Sequence, residues 1–137
     1  MPTSDTSSRA TPLASILTID LNTIAANYRM LSDKVAPAVC AGVVKADAYG
    51  LGLEPVARRL WREGCRVFFV ASLEEGIALR GILAEAEITP LNGLLSGEEF
   101  PYREHRLFPT LNDLGQVARW SAYCASHGDA PAVLHVD

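Results

Sequence analysis

Apolar positions along the chain recur with two periods, and they alternate from one segment to the next. Leu21, Ile24, Ala25, Tyr28 and Leu31 repeat at the spacing of one helical face. Pro37 stops that helix, because its ring removes a donor and blocks the preceding turn. Short apolar runs at residues 16–19 and 38–45 flank the helix and predict strands. Glu54-Pro55 opens a second helix whose stripe is Val56, Ala57, Leu60 and Trp61 and which Gly64 ends. A strand is predicted at residues 66–71. Ser72-Leu73-Glu74-Glu75 then reads as a capping box starting a helix that runs to about residue 83.

Residues 88–95 form the next extended run, with Pro90 leaving its start open. A short helix at 98–104 and a strand at 107–111 follow. Asn112 or Asp113 caps a helix carrying Leu114, Val117, Ala118 and Tyr123 as far as Gly128. Residues 132–136 make a final strand, in which alternation sends Ala132, Leu134 and Val136 towards helices and Val133, His135 and Asp137 inward.

Strand and helix in regular alternation point to an α/β fold with parallel pairing and right-handed crossovers, either a doubly wound sheet or a (β/α)₈ TIM-type barrel. The carboxyl ends of the strands, where such folds place their chemistry, fall at Lys45, Ser72, Leu94 or Leu95, Thr110 and Asp137.

Composition narrows the function classes. With 49% apolar residues in 137, the chain can bury one core of ordinary size. Twelve basic residues scattered among sixteen acidic ones give a net charge of −4, which argues against nucleic acid as a partner. No apolar run approaches the roughly 18–20 residues that span a bilayer, and residues 1–14 lack a basic start and apolar centre. The expectation is a cytoplasmic protein with no membrane partner. Residues 1–13 are rich in Ser, Thr and Pro and read as a disordered tail, leaving 14–137 as the folded part. Cys40, Cys65 and Cys124 are odd in number and widely spaced, which fits buried free thiols better than disulfides or a metal site.

Lys45 carries the sharpest candidate chemistry. The run Val43-Val44-Lys45-Ala46-Asp47-Ala48-Tyr49-Gly50-Leu51-Gly52 delivers one lysine at a strand end and then breaks into a small-residue turn. Lysines that form Schiff bases are held at such partly buried places, where the neutral amine is favoured. The run resembles the pyridoxal-phosphate (PLP) lysine motif of alanine racemases, Val-Val-Lys-Ala-Asn/Asp-Ala-Tyr-Gly-His/Leu-Gly. Ile19-Asp20-Leu21, Val70-Ala71-Ser72-Leu73-Glu74-Glu75-Gly76, Leu91-Asn92-Gly93-Leu94 and Leu134-His135-Val136-Asp137 resemble the same family in the same order. The resemblance runs from about Ser15 to the last residue and decides for the barrel, of which five strand-helix units would be present. A closed barrel needs eight strands and about 250 residues, so the resemblance implies an N-terminal portion, a fragment inactive alone.

The resemblance also implies roles. PLP would be held as a Schiff base on Lys45, which would act as one catalytic base in the interconversion of L- and D-alanine, supplying D-alanine for peptidoglycan. Tyr49 would hold the cofactor phosphate. The opposing base would be a tyrosine from a partner subunit of a homodimer. His135 stands where the family often has a lysine that orients an arginine, and Val43, His135 and Asp137 are candidate linings of the site. The alternative is a non-enzymatic PLP-binding protein on the same barrel. Blander readings apply elsewhere: Trp61, Trp120 and Phe68-Phe69 as core, Arg58, Arg59 and Arg62 as a solvated face, and His105 and His127 as residues without a role.

Overall fold

The computed structural model describes residues 15–136; the expected tail at 1–13 and Asp137 lie outside them. Helix α1 (Leu21–Val35) begins at Asp20, whose carboxylate accepts the N–H groups of Asn22 and Thr23. Strand β1 (Gly42–Val43) leads into a short turn, α2 (Lys45–Gly50), and then α3 (Leu53–Arg62). Three more strand-helix units follow: β2 (Val67–Val70) with α4 (Leu73–Ile82), β3 (Glu87–Pro90) with α5 (Glu99–Glu104), and β4 (Thr110–Leu111) with α6 (Leu114–His127). β5 (Val133–Leu134) is the last element.

All strand pairs are parallel. β1, β2 and β3 form one ladder, with Val43 opposite Phe69 and Phe69 opposite Thr89, and β4 pairs with β5. The two ladders meet at a seam of prolines. Phe108 N–H reaches Ile88 O at 2.9 Å, but Pro90, the next residue of β3 to face that strand, has no N–H to give in return. The Thr110 hydroxyl substitutes, donating to Pro90 O at 2.8 Å. Five parallel strands in sequence order with helices between them are part of a (β/α)₈ barrel.

The core lies between the strands and the helices. Phe68, Val70 and Ile88 point outward into it and are fully buried against Val56, Ala57, Leu60 and Leu79. Helix α3 approaches β1 so closely that a Cβ on Gly42 would sit 3.1 Å from Leu60 Cδ1.

Several expectations change. Residues 15–20 form no strand, because no ladder bond joins them to another strand among the described residues, and an extended segment without a partner is not a strand. The strand expected at 38–45 pairs only over Gly42–Val43, and Lys45 opens the following turn instead of ending the ladder. The runs at 88–95, 107–111 and 132–136 shorten to β3, β4 and β5. Among the alternatives at 112–113, Asp113 is the cap, accepting Gln116 N–H at 2.8 Å.

The apolar face expected on the last strand is not covered. Leu134 and Val136 are exposed, because β5 has a neighbour on one side only among the described residues. Phe69 is half-buried on the concave side and does not share the core of Phe68. Arg59 is no solvated residue either. It pairs with Glu63 at 2.6 Å and reaches Asn22 Oδ1 at 3.3 Å, tying α3 to α1, while Arg29 completes the group by pairing with Glu63.

Candidate active site

The site is built on the turn that follows β1. Val44 N–H still bonds Phe69 O at 2.9 Å, and the chain then enters a left-handed conformation for four consecutive residues, Ala46, Asp47, Ala48 and Tyr49, with φ of 51°, 53°, 53° and 57°. Each non-glycine residue in that region costs about 1–2 kcal/mol, so the turn stores strain that the surrounding contacts must offset. Ala48 N–H closes the turn on Val44 O at 3.0 Å, and buried Ala48 plugs it into the core. Glycine takes over where the turn unwinds, at Gly50 (φ 78°) and Gly52 (φ 96°).

Two carboxylates hold the first half of the turn, one of its own and one from α4. Asp47 Oδ1 accepts Leu53 N–H at 2.6 Å, supplying α3 with the cap that Gly52 has no side chain to give. Glu75, in the first turn of α4, accepts Ala46 N–H at 2.8 Å through Oε1 and Ala71 N–H at 2.7 Å through Oε2. The capping box is therefore only half formed. Ser72 Oγ accepts Glu75 N–H at 3.4 Å, but the Glu75 carboxylate does not fold back on Ser72 and joins the ends of β1 and β2 instead.

Lys45 is half-buried at the head of this turn, two residues beyond Val43, which is 45% exposed on the side away from α3. Tyr49, at the far end, is 63% exposed. Across the concave side, Phe69, Leu91, Thr110, Val133, Leu134 and His135 line one open groove, which borders Val43 through its partner Phe69. His135 is exposed, with Nδ1 3.2 Å from Asn112 Oδ1. Val43, Lys45 and Tyr49 thus share one strand end, and His135 belongs to the opposite edge of the sheet.

Two things escaped the sequence. The left-handed run has no glycine in it and so no local signal. Glu75 was legible only as a capping residue; its position at the carboxyl end of a strand next to the lysine-bearing one is the signal that marks it for more.

The family described as "Alanine racemase, N-terminal domain" matches residues 19–137. The chain belongs to the alanine racemase family. It is 46% identical over 127 residues to the alanine racemase of Methylobacterium sp. (strain 4-46), covering 92% of this chain and 35% of that one. It is 49% identical over 123 residues to the catabolic alanine racemase of Rhizobium johnstonii, covering 88% and 33%. Among solved structures, the alanine racemase of Bartonella henselae with covalently bound pyridoxal phosphate superposes with a TM-score of 0.78 at 39% identity, over 81% of this chain and 33% of that one. The alanine racemase of Streptomyces coelicolor A3(2) gives 0.77 at 28% identity, over 87% and 32%. The chain spans about a third of the length of the relatives it matches.

Proposed function

We propose that this chain is the cofactor-bearing part of a PLP-dependent alanine racemase, with residues 14–137 as the N-terminal part of its barrel. The observation that carries the reading is the placement of Lys45 at the carboxyl end of β1, on a strained turn clamped through Ala46 and Asp47. The covalently bound cofactor of the Bartonella henselae relative supports it.

An amine at the strand end and an exposed phenol on the same turn fit the group. The Lys45 amine would anchor the cofactor covalently, and the Tyr49 hydroxyl would donate a hydrogen bond to its phosphate. Bound PLP supplies an electron sink for the charge left when an α-proton is removed. The Lys45 Nζ would also be placed to take and return that proton on its own side. Racemisation requires a second base on the opposite side, which the resemblance assigns to a tyrosine of a partner subunit. Val43 would wall the site near Lys45, with His135 and Asp137 lining the far edge.

In this reading the whole protein is a cytoplasmic homodimer that supplies D-alanine to the cell wall. No helix among the described residues is long and apolar enough to cross a membrane. The test is borohydride trapping of PLP followed by peptide mass mapping. The label is expected on Lys45 and absent from Lys45→Ala. A label of equal yield on Lys45→Ala overturns the assignment.

A further inference from the structure

The N3 residues of α4 and α6 do the same thing. In each helix the cap side chain accepts the N3 N–H: Ser72 from Glu75 at 3.4 Å, Asp113 from Gln116 at 2.8 Å. The N3 side chain then reaches across to two backbone N–H groups: that of the last residue before its own cap and that of the segment leaving the preceding strand. Glu75 takes Ala71 and Ala46; Gln116 takes Asn112 at 2.9 Å and Leu94 at 3.2 Å. Two adjacent strand ends are stitched together in each case, β1 to β2 and β3 to β4.

The two clips differ in strength. Gln116 shares one oxygen between both donors, whereas Glu75 gives each donor its own carboxylate oxygen at 2.7–2.8 Å. A charged acceptor makes the stronger bond, and the amino end of α4 favours that charge. The stronger clip holds the peptide plane shared by Lys45 and Ala46, at the first residue of the left-handed run. That plane sets the direction in which the lysine side chain leaves the backbone.

We propose that Glu75 is the positioning residue of Lys45, holding its peptide so that the amine meets the cofactor in one orientation. The proposal rests on the assignment of Lys45 as the cofactor's anchor. Its carboxylate touches neither substrate nor cofactor in this account; it acts through the Ala46 N–H.

The test compares Glu75→Ala, Glu75→Gln and Gln116→Ala in the full chain, by residue-resolved amide exchange without cofactor and by the rate of borohydride-trappable PLP attachment at Lys45. Glu75→Ala is expected to speed exchange at Ala46 and Ala71, and to slow attachment, by about tenfold each, the factor carried by one charge-assisted hydrogen bond. Glu75→Gln, able to clip as Gln116 does, is expected to recover most of both. Gln116→Ala is expected to speed exchange at Asn112 and Leu94 while leaving attachment at Lys45 unchanged, which separates positioning from general loosening of the rim. Wild-type attachment rate in Glu75→Ala, or equal slowing by Gln116→Ala, overturns the proposal. If wild type carries no label on Lys45, the anchor assignment fails, and unaltered exchange at Ala46 in Glu75→Ala would independently sink the clip.

Discussion

The carboxylate of Asp47 caps a helix to which Asp47 does not belong: its Oδ1 accepts the N–H of Leu53 at 2.6 Å, across the glycine that precedes α3. The same residue holds φ of 53°, a region that Asp and Asn tolerate better than most side chains. One residue therefore stabilises both the turn after Lys45 and the helix that packs on β1. Asparagine, the common residue of the resembled motif here, offers the same oxygen. Asp47→Asn is expected to stay within about 0.5 kcal/mol of wild type, and Asp47→Ala to lose about 1 kcal/mol or more, the usual value of such a cap. Urea unfolding followed by circular dichroism measures both; equal midpoints for Asp47→Ala and wild type would refute the cap.

Two glycines of α4 should respond to alanine with opposite signs. A Cβ on Gly76 would meet Leu107 Cδ1 at 3.0 Å and the Pro90 ring at 3.2 Å, whereas one on Gly81 would meet nothing within 4 Å. At Gly81 only the helix propensity changes, so alanine is expected to stabilise by about 0.5–1 kcal/mol. At Gly76 that gain is outweighed by overpacking against a rigid ring, for a net loss of about 1 kcal/mol. Thermal melts of the two single variants suffice, and a shared sign would contradict the packing described.

Arg80 brackets the end of the barrel opposite Lys45. Its guanidinium donates to His105 O at 2.9 Å, Ala84 O at 2.8 Å, Ala86 O at 2.7 Å and Arg106 O at 2.6 Å, with a longer bond to Leu83 O at 3.3 Å. The loop after α4 and the loop after α5 are joined by this one planar group. Arg80→Ala is expected to cost about 3 kcal/mol, since hydrogen bonds to a charged donor are strong and the carbonyls lose their partner. Arg80→Lys should recover little, because an ammonium cannot reach both loops. Chemical denaturation decides; full rescue by lysine would show that charge alone matters.

Stability should fall in alkali. Burial pushes the Tyr28 phenol up to about 12, with Cys65 nearby adding to the shift, and burial first, then the charges of Glu98 and Glu74, raises Tyr102. Tyr102 donates to Gly93 O at 3.0 Å and Tyr28 to Cys40 O at 3.2 Å. Below the unfolded value near 10, both phenols are protonated in either state and contribute fully. Above it the unfolded chain releases protons that the folded chain keeps, so stability declines from about pH 10 through 12. The melting temperature of wild type is expected to drop more between pH 9 and pH 11 than that of the Tyr28→Phe/Tyr102→Phe double variant. Parallel declines would remove these two phenols as the cause.

How much of this was legible in the sequence depended on the range of the interaction. Ser72 caps α4 through a bond to a residue three positions away, so chain order sufficed to find it and to narrow the cap of α6 to Asn112 or Asp113; Asp20 acts over the same range but was not singled out. The strand expected at residues 16–19 is absent and those around β1, β3, β4 and β5 were drawn too long, because an apolar run marks burial while a ladder needs a neighbour. The proline seam shows the difference: Pro90 has no N–H for a bond that only the neighbouring strand β4 calls for.

The amino-acid order by itself determined the alternation of strands and helices, the parallel α/β class and the identity of Lys45 as the residue to watch. These follow from periodicity, caps and a local motif, all of which act within a few residues. Tertiary structure alone decided that Ala46 to Tyr49 turn left-handed and that Glu75 holds the peptide after Lys45. Ala-Asp-Ala-Tyr has no local preference for that strained conformation; it is kept there by the Asp47 bond to α3, the burial of Ala48, and a carboxylate 29 positions further along the chain.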